Sequence, residues 1–114
     1  MPDRGRIHAL LLIFALCAAT PGGAEITNGI PGPRAAELEH MVIQDCGSCH
    51  GLTMKGGLGS PLTKEAVEGA DPGALASIIL DGVPGTAMPP WRPLLTENEA
   101  FWIAEYLLKG ETEK

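Results

Sequence analysis

The chain has 114 residues, with 14 acidic against 8 basic side chains and a formal net charge of −6. That balance excludes the basic face a nucleic acid requires and argues against docking on anionic lipid. It suits solubility, or a partner with a basic surface reached by electrostatic steering. With few aromatic residues, a single small domain of this kind needs a staple beyond its own apolar core.

Residues 1–24 read as a secretory signal peptide. Arg4 and Arg6 form a positive start, and the apolar run from Ala9 to Ala19 is too short to span a bilayer. Gly22, Gly23 and Ala24 offer small residues for cleavage, which makes Glu25 the predicted mature N-terminus; cleavage after Ala19 is the alternative. Cys17 falls inside the apolar run and is discarded with it. Without this segment, thirteen acids face six Lys and Arg. The expectation is an exported, periplasmic protein with no membrane attachment after cleavage.

Residues 25–33, rich in Gly and Pro, are expected to be a flexible arm, followed by one domain over 34–114. A helix is predicted over 35–45, with Leu38, Met41 and Val42 on its buried face. One turn on comes Cys46-Gly47-Ser48-Cys49-His50. C-x-x-C-H is the attachment pattern of a c-type haem. Two thiols at this spacing span one porphyrin edge, and the adjacent imidazole lands under the iron. A zinc site needs about four ligands, usually as two spaced pairs, and outside the N-terminal segment only His40 remains. A thioredoxin-like dithiol needs a βαβ setting, and no strand pattern adjoins the motif. The haem would be the missing staple, so the apo chain is expected to be largely unfolded.

Gly51 to Gly59 form a glycine-rich loop able to lie close against a flat ring, followed by Ser60-Pro61-Leu62 and a short helical piece over 63–69. The next helix has clear punctuation: Asp71 as N-cap, Pro72 at the first position and Gly82 past the end. Leu75, Ile78 and Ile79 make its apolar stripe. Val83 to Trp91 carry too many Pro and Gly for regular structure. Thr96 and Glu99 form a capping box that opens the last helix, in which Trp102, Ile103, Tyr106 and Leu107 line one face; Lys109 and Gly110 end it.

A haem held only by His50 has an open side; a sixth ligand makes an electron carrier, an empty site a ligand binder or catalyst. The candidates are Met41, Met54, Met88 and His40. Met41 sits on the packing face of the first helix, where Met more often fills the core; His40, on the same helix, is too near the attachment site to reach the opposite face; and Met54 lies only four residues past His50. Met88 lies thirty-eight residues beyond His50, with a helix between them and prolines to stiffen its loop. It fits best.

The order C-x-x-C-H, Gly-rich loop with Pro-Leu, helix, Met-Pro-Pro and amphipathic last helix resembles the class I cytochrome c family. The stretches Asp45–Gly59 and Gly85–Leu95 are most similar to its small periplasmic cytochrome c-55X (NirC) subfamily, which accompanies the cd-type nitrite reductase. The resemblance implies an all-α fold of three to four short helices around one covalent haem c. It implies thioethers at Cys46 and Cys49, axial ligands His50 and Met88, and a Pro61 carbonyl that accepts the proton on the other His50 nitrogen. Trp91 would pack on the haem, bond a propionate, or serve as plain core. Helix one departs from the family pattern in lacking a glycine–aromatic pair toward the last helix; Leu38 or Met41 is expected there. No catalytic base, nucleophile or substrate pocket is evident, so the chain is read as a non-enzyme. The implied function is single-electron transfer in denitrification by a monomer, with a redox partner such as the nitrite reductase. The competing readings are an assembly factor for that reductase or its special haem, and an open-site sensor.

Overall fold

The computed structural model describes residues 26–114; the predicted signal peptide lies outside them. Where a flexible arm was expected, the chain forms a small hairpin. Strands β1 (Ile26–Thr27) and β2 (Ile30–Pro31) pair antiparallel, with Thr27 opposite Ile30. Asn28 and Gly29 turn the corner at φ 50° and 79°, the left-handed pair that a tight two-residue hairpin demands. Ile30 is buried, and the Asn28 side-chain amide donates to Glu105 at 2.6 Å. Apolar burial and one cross-chain bond therefore outweigh the Gly and Pro content that suggested looseness.

Helix α1 (Gly32–Met41) starts three residues earlier than the predicted 35, with a proline in its first turn, where no N–H is missed. It runs on through a π-helical turn (Val42–Cys46) into α2 (Gly47–His50), so one rod delivers the whole C-x-x-C-H motif. Leu38 and Val42 are fully buried on its inner face, while Met41 is only partly covered. Of the two residues expected to replace the missing glycine–aromatic pair, Leu38 is the one fully buried in the core that the last helix shares.

The later elements begin where their caps predict. Thr63 caps α3 (Lys64–Val67), and Asp71 accepts from the Ala74 amide at 2.8 Å to start α4 (Pro72–Asp81). In α5 (Glu97–Leu108) the capping box is complete: the Glu99 amide donates to Thr96 Oγ1 at 3.2 Å and the Thr96 amide to Glu99 Oε2 at 2.8 Å. Ala76 and Leu80 of α4 join Ala100, Ile103, Ala104 and Leu107 of α5 in the core. The small alanines let these two helices pack closely, and α4 and α5 form the largest helix pairing. Trp102 and Tyr106 stack with ring centroids 5.1 Å apart.

The stripe expected on α4, Leu75, Ile78 and Ile79, is not the buried face of the helix. Ala76 and Leu80 meet the core, but Leu75 and Ile79 are half-covered and Ile78 is exposed. These three face a cavity instead. Arg34 ties α1 to the start of α5, its Nε 2.6 Å from Glu99 Oε1 and its Nη1 2.8 Å from Glu37 Oε2. The result is the all-α domain that the resemblance implied, with a two-stranded hairpin in place of the expected arm.

Candidate haem site

The cavity has a volume of about 790 Å³, within the range of ligand clefts, about 300–1,000 Å³. Cys46, Cys49 and His50 line it from the end of the first rod, and Met88 lines it from the Pro-rich loop. Its remaining walls are mostly aliphatic: Val67 of α3, Leu75 and Ile79 of α4, Ile103 and Leu107 of α5. Trp91 and Pro61 line it as well. The structure therefore gathers all six residues singled out in the sequence around one apolar space. Of the other sixth-ligand candidates none lines it: Met54 is fully buried in the core, Met41 packs against that core, and His40 is exposed on α1.

His50 is held in one tautomer. Its Nδ1 lies 2.6 Å from the Ser60 carbonyl oxygen. A carbonyl only accepts, so Nδ1 carries the proton and Nε2 keeps its lone pair for a metal. The acceptor is Ser60 and not Pro61, a correction by one residue. Its cause is Gly59: a Cβ there would stand 2.7 Å from Nδ1 and 2.8 Å from Cε1 of the imidazole. The loop presses its glycine against the ring, and the next carbonyl is the one that meets Nδ1. Pro61 instead packs its ring toward Gly56.

The other glycines serve the helix end more than the cavity. The carbonyls of Cys49 and His50 have no intrahelical partner at the end of α2. The Gly59 amide reaches the first at 2.8 Å and the Gly56 amide the second at 2.7 Å. A Cβ on Gly57 would come within 2.7 Å of the Cys49 carbonyl, and one on Gly51 within 2.7 Å of the Gly56 carbonyl. Close approach is thus required, but against the chain's own helix terminus. Met54, at φ 57°, and its backbone bonds to Gly51 and Leu62 set the far end of this loop.

The chemistry of the donor set fits a covalently bound haem better than its rivals. Burial, assisted by the Asp45 carboxylate, pushes the Cys46 thiol up to about 11. A redox-active or zinc-binding cysteine needs the opposite, a stabilised thiolate. Both cysteines are free of disulfide bonding. Among the described residues no cluster of three or more His, Cys, Asp or Glu side chains is placed to hold a metal ion.

Comparison with known proteins agrees with this geometry. The family model described as cytochrome C oxidase, cbb3-type, subunit III matches residues 33–107. The cytochrome c55X of Paracoccus denitrificans is 56% identical over 105 residues, covering 92% of this chain and 96% of that protein. The cytochrome c55X of Pseudomonas aeruginosa is 45% identical over 112 residues, covering 96% and 94%. Among solved structures, a c-type cytochrome NirC is similar with a TM-score of 0.68 and 48% identity, over 70% of this chain and 94% of that one. Matched over more than nine-tenths of its length by the two c55X proteins, the chain belongs to the cytochrome c family, close to c55X and NirC, an all-α electron-transfer protein with covalently bound haem c.

Proposed function

We propose that this chain is a periplasmic carrier of single electrons, with Cys46 and Cys49 as the thioether anchors, His50 and Met88 as the axial ligands, and Trp91 as part of the haem wall. The observation that carries the reading is the meeting of two thiols, an oriented imidazole and a thioether, from segments thirty-eight residues apart, on one apolar cavity. The bound haem supplies one-electron chemistry between ferrous and ferric iron.

The protein's own residues tune that chemistry. The Ser60 carbonyl fixes the His50 ring and raises the basicity of Nε2. The Met88 thioether is soft and favours the ferrous form. Val67, Leu75, Ile79, Ile103 and Leu107 exclude water, so the extra ferric charge is poorly solvated and the potential rises. Leu58, Ile78 and Val83 are exposed residues among those lining the cavity. An apolar margin of that kind suits a brief contact with a partner.

Residues 1–24 act as the export signal in this reading. Among the described residues no helix is long and apolar enough to cross a membrane. The mature protein works as a monomer in denitrification. It delivers electrons to the cd-type nitrite reductase, or serves that enzyme's maturation, as the similarity to the c55X group suggests. Its acidic surplus favours a basic docking surface on the partner.

Carbon monoxide and rapid mixing test this. Reduced protein with both axial positions filled binds carbon monoxide slowly at neutral pH, and electrons pass to purified nitrite reductase at a rate that falls with added salt. Rapid carbon monoxide binding would remove the carrier reading; absence of electron passage would remove only the proposed partner.

A further inference from the structure

The loop that carries Met88 is closed at its base by Gly82, the residue just past α4. Its backbone sits at φ 67°, ψ −171°, a region open essentially to glycine alone. A Cβ there would stand 2.7 Å from the Met88 carbonyl oxygen, 2.7 Å from the Pro89 carbonyl carbon and 2.8 Å from the Pro90 nitrogen. All three are backbone atoms, and two belong to prolines that cannot swing aside.

The stem below is tied. The Trp91 amide donates to the Ile79 carbonyl at 3.1 Å and the Arg92 amide to Leu80 at 3.0 Å. Arg92 Nε also donates to Asp81 Oδ1 at 2.9 Å. Inside the loop, the Val83 amide donates to the Met88 carbonyl at 3.2 Å. The Thr86 hydroxyl donates to the Val83 carbonyl at 2.7 Å and accepts from the Met88 amide at 3.3 Å. Met88 is thus held on both its backbone sides, from Gly82's neighbour and from Thr86.

We propose that Gly82 and Thr86 are positioning residues that hold the Met88 thioether at the cavity. The proposal rests on the reading of Met88 as an axial ligand. Gly85 provides an internal comparison. It lies in the same loop at φ 79°, but a Cβ there meets nothing within 4 Å. Alanine at Gly85 therefore carries the backbone cost alone, and alanine at Gly82 adds a collision with the Met88 peptide.

The test uses haem-loaded wild type, Gly82→Ala, Gly85→Ala, Thr86→Val and Thr86→Ser, with Met88→Ala as reference. The readouts are the weak red absorption band of ferric thioether ligation and the rate of carbon monoxide binding to reduced protein. A displaced Met88 raises the open fraction, so Gly82→Ala is expected to lose most of the band and bind carbon monoxide about tenfold faster. Thr86→Val shifts both in the same direction by less, Thr86→Ser restores them, and Gly85→Ala stays near wild type. Equal behaviour of Gly82→Ala and Gly85→Ala would overturn the role of Gly82. If Gly82→Ala takes up no haem, Thr86→Val decides: wild-type band and rate there overturn the proposal. An unchanged band and rate in Met88→Ala has a different meaning, because it removes the ligand reading itself.

Discussion

His50 and Gly59 are packed so closely that no side chain fits between them: a Cβ on Gly59 would lie 2.7 Å from Nδ1 of the imidazole. The ring is trapped between this glycine and the Ser60 carbonyl, which accepts the Nδ1–H hydrogen bond at 2.6 Å. Orientation of the His50 ring is therefore a property of the loop, not of the helix that carries it.

Gly59→Ala is expected to push the ring away and lengthen its bond to Ser60. Overpacking of this kind costs about 1–3 kcal/mol. Denaturant titration of the haem-loaded protein reads the loss of stability, and the same preparation should show a lowered yield of attached haem.

Met88→Ala should leave the haem attached, because Cys46 and Cys49, the proposed anchors, are untouched. Under the proposed ligation it removes the soft thioether that favours ferrous iron. The expected outcome is a lower reduction potential and rapid carbon monoxide binding, checked by potentiometry and by mixing. An unchanged potential would count against Met88.

Cys49→Ala is expected to impair attachment, and with it folding. Without haem the apolar walls of the cavity of about 790 Å³ lose their covering, and a core this small has little stability to spare. Intact mass reports attachment and far-ultraviolet circular dichroism reports helix content; both should fall together.

Arg34→Gln tests the tie between α1 and α5 through its pH dependence. The hydrogen bond from Arg34 holds the Glu99 carboxyl below the ordinary carboxylate range. A depressed folded-state value stabilises the protein above the unfolded value, and that stability is lost as pH falls through the folded one. The variant should therefore be less stable at neutral pH, by at most about 1 kcal/mol given solvent screening. The gap should close on acidification. Parallel urea titrations at neutral and acidic pH measure it.

Legibility differed from element to element. The starts of α4 and α5 were readable because capping is local: Asp71 reaches Ala74 and Thr96 reaches Glu99, each three residues away. The hairpin over residues 26–31 was not readable. Its stability comes from Ile30 in the core and from Asn28 on Glu105, seventy-seven residues on. The divided face of α4 was also hidden, since apolar spacing does not say whether Leu75 and Ile79 meet protein or a cofactor-sized space.

The acceptor of the His50 proton shows the same limit at one residue's scale. Loop residues 59, 60 and 61 differ by only one residue at a time in their separation from His50 along the chain, and only the contact of Gly59 with the ring selects the Ser60 carbonyl. A glycine directly before the acceptor was the available signal.

The chain alone determined the chemistry, because C-x-x-C-H places its donors through covalent spacing within a single turn. It also determined the helix punctuation, because caps act over three or four residues. The tertiary structure decided which of four methionine and histidine candidates reaches the cavity and which carbonyl orients His50. It also decided that Gly82 closes the Met88 loop. Those choices depend on distances between segments brought together by burial of Leu38, Val42, Ile103 and Leu107, and no local pattern encodes them.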